Sequence, residues 1–271
     1  MHDIFCFTDI HGVRPLYDAI MNYCNEQDPE ATIIFCGDAM DRGYDGYAIM
    51  KELLDNPYVV YLKGNHEDMF VQAARNIKDM FSFDGRSRED IRKVLNACKG
   101  FDYKYAPIQD SLYNGGMSTL LDWIEDGMPM DIVDRVDNLP LTFKYENIDF
   151  CHASPFYDTF ARVYNAEYEG KTPDEYDAEH LLWGRTTLGT VWAPNRIQIF
   201  GHTPSIYVSD YVDFKMDNDM DPIPVKIHEK IDMDTGAAFT GMAFVLNILT
   251  MQAQGFNLEN DDVKKIDCIQ F

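Results

Sequence analysis

The chain predicts an α/β fold on three observations. Strand-like and helix-like segments alternate through the first 70 residues, polar motifs sit where the strands end, and strands return in close succession after residue 140. Between those two parts lies a stretch that reads as helices alone.

The elements follow in order. Ile4–Phe7 is a short apolar run leading into Thr8-Asp9-Ile10-His11-Gly12. Pro15 opens a helix, with Leu16, Ile20, Tyr23 and Cys24 on one stripe. Thr32–Cys36, β-branched and aromatic, leads into Gly37-Asp38-Ala39-Met40-Asp41-Arg42-Gly43. The next helix carries Tyr47, Met50, Leu53 and Leu54 and stops at Asn56-Pro57. Val59–Leu62 is the third strand, running into Gly64-Asn65-His66-Glu67. A βαβαβ order with every motif at one edge predicts a parallel sheet.

Helices are expected at Glu67–Met80, Glu89–Lys99, Ser118–Glu125 and Met130–Val136. Strands are expected at Leu141–Tyr145, Ile148–Cys151, Arg196–Phe200, Ile206–Val208, Pro224–Ile231 and Met242–Thr250, with antiparallel or mixed pairing. The acidic run Asp210–Asp221 reads as a solvated loop. Residues 1–271 are read as a single domain with a helical insertion over about 73–138.

Composition narrows the function. A chain of 271 residues can bury a full core, and 46% hydrophobic with 25% charged residues is ordinary for a globular protein. The net charge of −23 is not ordinary; it repels nucleic acid and anionic membranes, so neither is expected as a partner. The six cysteines form no Cys-x-x-Cys pair, and Cys6, Cys36 and Cys151 lie inside apolar runs, as free thiols of a reducing compartment do. No segment approaches the roughly 20 apolar residues that span a bilayer. A cytoplasmic location is expected, and no pattern fixes the oligomeric state.

Asp, Asn and His bind divalent cations through hard oxygens and imidazole nitrogens. Asp9 and His11, two apart, can face the same side and share one ion. Asp38 at the next strand end is placed to bridge, Asn65 offers a neutral amide oxygen, and His152 and His202 can complete a second ion. Such a set at one sheet edge is most simply that of a two-metal hydrolase.

These motifs, with His152-Ala153 and Gly201-His202-Thr203, resemble those of the calcineurin-like metallophosphoesterases. Within that group they are most similar to the serine/threonine phosphoprotein phosphatases of the compact bacterial and phage, lambda-phosphatase-like type. Asn114-Gly115-Gly116, Leu182-Trp183-Gly184-Arg185 and Ile231-Asp232-Met233-Asp234-Thr235-Gly236 extend the likeness. It spans residues 3–72 and about 140–250, and is loose over 73–112.

The resemblance implies an α/β/β/α sandwich of two mixed sheets flanked by helices. It implies two divalent ions, Mn2+ first, with Fe or Zn also suiting the donors. Asp9, His11 and Asp38 would hold one ion, and Asp38, Asn65, His152 and His202 the other. His66 would be the general acid and Asp41 its orienting partner, while Arg42 and Arg185, with Asn65 and His66, would bind the substrate phosphate. Glu67 reads as support for the helix start.

The implied activity is hydrolysis of phosphoserine or phosphothreonine in proteins or peptides, with phosphotyrosine as well. A dinucleoside polyphosphate hydrolase is the alternative; those relatives usually lack the Asp of Asp-Arg-Gly and follow Asn-His with Asp, where this chain has Asp41 and Glu67. An inactive metal-binding regulatory module is the alternative of another class, and the joint presence of all these residues speaks against it.

Overall fold

The structure, a computed structural model, describes residues 2–100, 102–153, 157–158, 163–164, 178–185, 195–208, 222–227 and 229–271. The first part follows the expected order: β1 (Ile4–Phe7), α1 (Arg14–Gln27), β2 (Thr32–Phe35), α2 (Gly46–Asp55) and β3 (Val59–Tyr61). β1 pairs with β2 and β2 with β3, both in parallel. Five helices follow: α3 (Asn65–Met80), α4 (Arg88–Ala97), α5 (Ala106–Tyr113), α6 (Met117–Glu125) and α7 (Met130–Asp137). The sequence reading lacks α5, whose eight residues leave room for little more than one apolar repeat, Ile108 and Leu112.

The rest comprises β4 (Thr142–Tyr145), β5 (Ile148–Cys151), β6 (Tyr157–Asp158), β7 (Val163–Tyr164), α8 (Ala178–Trp183), β8 (Ile197–Phe200) and α9 (Ser205–Val208). After these come β9 (Val225–Ile227), β10 (Lys230–Asp232), α10 (Ala237–Thr240), β11 (Met242–Asn247), β12 (Gln252–Glu259) and β13 (Asp262–Gln270). One mixed sheet has the order β13-β12-β11-β1-β2-β3, and the other β4-β5-β8-β10-β9.

Alternation along β1 shows how the layers form. Phe5 and Phe7 join a core with Leu16, Ile20, Met50, Phe70 and Trp123 on the helical side. Cys6, pointing the other way, joins Ile34, Leu62, Phe150, Ile199 and Ile231 between the two sheets. Two mixed sheets face to face with flanking helices are what the sequence predicts.

Three strand expectations are corrected. Ile206–Val208 belongs to the helical turn α9, where Pro204 ends the preceding extended chain and its carbonyl accepts the Tyr207 N–H at 2.8 Å. Pro224–Ile231 is not one strand but the hairpin β9–β10, paired antiparallel. The strand from Met242 stops at Asn247, whose Oδ1 accepts the N–H groups of Leu249 and Thr250 and turns the chain. β12 and β13 are further additions; their Gln, Asn, Asp and Lys content hides the two-residue period, and β13 is a largely exposed edge strand. The acidic run Asp210–Asp221 lies outside the described residues.

Of the six cysteines, five are buried, Cys268 is exposed, and all are free thiols. Among the described residues no helix is long and apolar enough to cross a membrane.

Candidate active site

Loops leaving β1 and β2 are laced together before any side chain is considered. The N–H groups of Asp9, His11 and Gly12 donate to the carbonyls of Gly37, Asp38 and Ala39 at 3.0, 3.0 and 2.8 Å. Holding the chain this way costs backbone strain. Asp9, His11, Asp38, Asp41, Arg42 and His202 all have positive φ, between 46° and 74°. Such angles disfavour residues with a side chain and concentrate at functional sites. Gly64 and Gly201 serve close approach: a Cβ on the first would overlap Asp38 Oδ1, and on the second Asp9 Oδ2.

Two buried groups result, His11 with Asp38 and His66, and Asp38 with His152 and His202. Within each, one ligand atom per residue lies within 4.8 Å of the others, and Asp38 is common to both. His11 Nε2 is 3.6 Å from Asp38 Oδ2 and 3.9 Å from Asp9 Oδ1. His152 Nε2 is 3.4 Å from Asp38 Oδ1 and 2.9 Å from Asn65 Oδ1, which also lies 3.1 Å from His202 Nδ1. The Nδ1 atoms of His11 and His152 lie 2.9 and 2.8 Å from the carbonyls of Met40 and Cys36. A carbonyl only accepts, so the His11 Nδ1 carries the proton and its Nε2 turns a lone pair to the centre.

A second set of contacts fixes the first. The Glu67 carboxylate, fully buried, accepts the N–H groups of Asp38, Ala39 and Gly64 and the Tyr61 hydroxyl at 2.7–2.9 Å. It ties the loop after β2 to the start of α3. His66 Nδ1 lies 2.8 Å from Asp41 Oδ2. Asp41 is held in turn by Thr119 of α6, whose hydroxyl donates to Oδ1 at 2.7 Å and accepts the Asp41 N–H at 3.1 Å.

Arg42 is exposed, yet its guanidinium reaches inward to His11 Nε2 at 2.6 Å and His66 Nε2 at 3.1 Å. Its N–H donates to the Gly115 carbonyl, within the Asn114-Gly115-Gly116 motif. Arg185 stands at the margin, donating to Thr203 Oγ1 at 3.0 Å next to His202. The structure thus gathers Asp9, His11, Asp38, Asp41, Arg42, Asn65, His66, His152 and His202 at one place. Arg185 reaches that place through Thr203.

The sequence reading lacked Thr119, which has no local signal: its partner Asp41 is 78 residues away. It also assigned no role to Asp232 and Asp234, buried in a motif that it quoted.

Burial dominates the electrostatics. It raises the Asp9 carboxyl above the usual range and Asp38 well above it, the charges of Asp9 and Glu67 adding to the shift on Asp38. Burial lifts Asp41 to about 7, although Thr119 and Arg42 oppose the shift. His11, His66 and His202 are held well below the ordinary imidazole value, first by burial and then by neighbouring cationic groups. Asp9 Oδ1 and His202 Nε2 are buried without a hydrogen-bond partner among the described residues. Crowded carboxylates, neutral imidazoles and orphaned acceptors are the donor set that divalent cations satisfy, so the residues fit a metal centre.

A family model described as calcineurin-like phosphoesterase matches residues 2–221. The chain belongs to the calcineurin-like phosphoesterase family. Among solved structures it is similar to a candidate diadenosine tetraphosphatase, with TM-score 0.53 and 13% identity over 98% of this chain and 93% of that one. A cold-active protein-tyrosine phosphatase of a psychrophilic Shewanella species gives TM-score 0.45 and 12% identity over 98% and 81%. A protein serine/threonine phosphatase from Saccharomyces cerevisiae gives TM-score 0.43 and 16% identity over 100% and 81%. No curated protein matches. The first likeness extends the calcineurin-like fold over nearly the whole length of both chains.

Proposed function

We propose that this calcineurin-like phosphoesterase is a metal-dependent phosphomonoesterase that removes phosphate from serine and threonine side chains of proteins, and from tyrosine as well. This would place it in the serine/threonine phosphoprotein phosphatase branch. One observation carries the reading: His66 has Asp41 2.8 Å from Nδ1 and the Arg42 guanidinium 3.1 Å from Nε2. A phosphoryl group bound by that guanidinium puts its leaving oxygen beside Nε2.

Each residue then has a task. Asp41 anchors Nδ1–H, which aims Nε2 at the leaving alkoxide and favours the imidazolium form that can protonate it. Negative charge brought by the phosphate favours the same form. Arg42 offers a planar fork to two phosphate oxygens, and Arg185 can supply a second. Asp9, His11 and Asp38 would hold one divalent cation and Asp38, Asn65, His152 and His202 another, with manganese proposed first. When bound, the pair supplies Lewis acidity that lowers the pKa of an attacking water and offsets phosphate charge.

The test pairs His66→Asn with Asp38→Asn. The first should slow turnover by about 10²–10⁴ while elemental analysis shows the metal retained. The second should lose metal along with activity. Identical behaviour of the two would defeat the division of roles. Wild-type protein that cleaves a bis(5′-nucleosyl)-tetraphosphate but none of the phosphoserine, phosphothreonine and phosphotyrosine peptides would defeat the substrate class.

A further inference from the structure

The turn after β10 carries an aromatic side chain with no part in the chemistry above. The Phe239 ring, on α10, has its centroid 5.1 Å from the Arg42 guanidinium carbon. That guanidinium touches His11 and His66, so the ring stands one guanidinium away from the proposed seat of the phosphate. Meeting Arg42 uses only part of the ring: Phe239 is 64% exposed.

The exposure is built in. Gly236 takes φ +73° and donates its N–H to Asp234 Oδ1 at 2.8 Å. The Thr240 hydroxyl lies 3.0 and 3.1 Å from the carbonyls of Thr235 and Gly236, and the Phe239 N–H donates to Gly236 at 2.7 Å. The motif Asp232–Gly236 therefore fixes where the ring stands. A second exposed aromatic, Trp183, lies edge-on to His202 with ring centroids 6.0 Å apart. Trp183 thus stands beside one histidine group, and Phe239 beside the arginine that touches the other.

We propose that Phe239 is a specificity residue that packs against the leaving group, and that through it the site accepts the flat ring of phosphotyrosine. The proposal rests on the phosphomonoesterase reading. A tyrosine ester sets a six-membered ring directly on the leaving oxygen, where it can meet Phe239 offset or edge-on. Serine and threonine esters set only one or two carbons near that oxygen, too few to cover the ring.

The test compares metal-loaded wild type, Phe239→Leu and Phe239→Tyr on two peptides that differ only in carrying phosphotyrosine or phosphothreonine. Each variant is referred to wild type on the same peptide, so the easier departure of an aryl oxide cancels. Phe239→Leu should lower kcat/KM for the phosphotyrosine peptide by about three- to tenfold, chiefly through KM, and change the phosphothreonine peptide by less than about twofold. Phe239→Tyr should restore the lost preference.

Phenylphosphonate should weaken as an inhibitor of Phe239→Leu by the same factor, and methylphosphonate should not. Equal falls on both peptides would mean that the ring only steadies Arg42. That result, or no change on either peptide, overturns the proposal and leaves the phosphomonoesterase reading standing. Wild type that hydrolyses neither peptide overturns that reading, and the proposal with it.

Discussion

On the first-sheet side of the centre, Asp9, His11 and Asp38 are laced by backbone hydrogen bonds, and the Glu67 carboxylate is filled by four donors. In the loops after β1, β2 and β3, Asp9 Oδ1 is the one buried side-chain polar atom without a partner among the described residues. On the second-sheet side, His202 Nε2, Ser205 Oγ, Asp232 Oδ2 and Asp234 Oδ2 are all buried and have no partner among the described residues. Unpaired buried polar atoms carry a desolvation cost that folding has not recovered. The difference teaches that folding alone pairs nearly all the buried polar atoms of one half of the centre and leaves several of the other half free to meet a ligand.

The strongest way to break this comparison is Glu67→Gln. An amide cannot accept from all four donors, so at least one backbone N–H among Asp38, Ala39 and Gly64 loses its acceptor. The metal-free protein should lose about 2–3 kcal/mol in denaturant unfolding. A loss below about 0.5 kcal/mol would mean that the first half is no better built than the second.

Thr119→Val comes next. Valine keeps the volume but strips Asp41 of both contacts from the hydroxyl, for an expected loss of about 1–2 kcal/mol. Thr119 holds the Asp41 pKa down against burial, so its removal lets that pKa climb further. In the proposed mechanism Asp41 is ionised when it anchors His66, so the acidic limb of the kcat/KM profile should move to higher pH. An unmoved limb would detach Asp41 from the acid's role.

The same contrast explains what was legible in the sequence. Each early βα unit switches from a two-residue to a helical period at a glycine-bearing motif, so β1, β2, β3, the loops holding Asp9 and Asp38 and the helix start holding Asn65 could be placed from the chain alone. The second sheet sets β8 in parallel between the hairpins β4–β5 and β9–β10. There Pro224–Ile231 hides a reversal and Ile206–Val208 has strand-like residues in a helical turn, while at the far edge of the first sheet the polar β12 and β13 show no clear alternation. His152 and His202 were found through motifs that end the apolar runs Ile148–Cys151 and Arg196–Phe200, which are β5 and, but for Arg196, β8. Thr119 was out of reach, because a hydroxyl on a helix face signals nothing until the fold sets it against Asp41.

The smallest effects fall on the second half, and their sign is what matters. Asp234 is buried, its carboxyl is raised well above the usual range by burial and then by Asp9, and Oδ2 has no partner. Asp234→Asn keeps an oxygen to accept the Gly236 N–H and replaces a carboxyl that burial disfavours in its charged form, so the metal-free variant should match wild type or gain up to about 1 kcal/mol. In metal-free wild type, Asp9 and Asp38 likewise hold protons above the ordinary carboxylate range, and the stability that this contributes is lost as pH rises through their folded values. A cation must displace those protons, while His11 and His202, held below the ordinary imidazole value, offer little competition near neutral pH. The gain in Tm from added metal should therefore be larger near pH 8 than near about pH 5.5, the two melting curves converging as pH falls. A constant gain across that range would show that the carboxylates are already ionised without a cation, and the first half would then need its ligand as much as the second does.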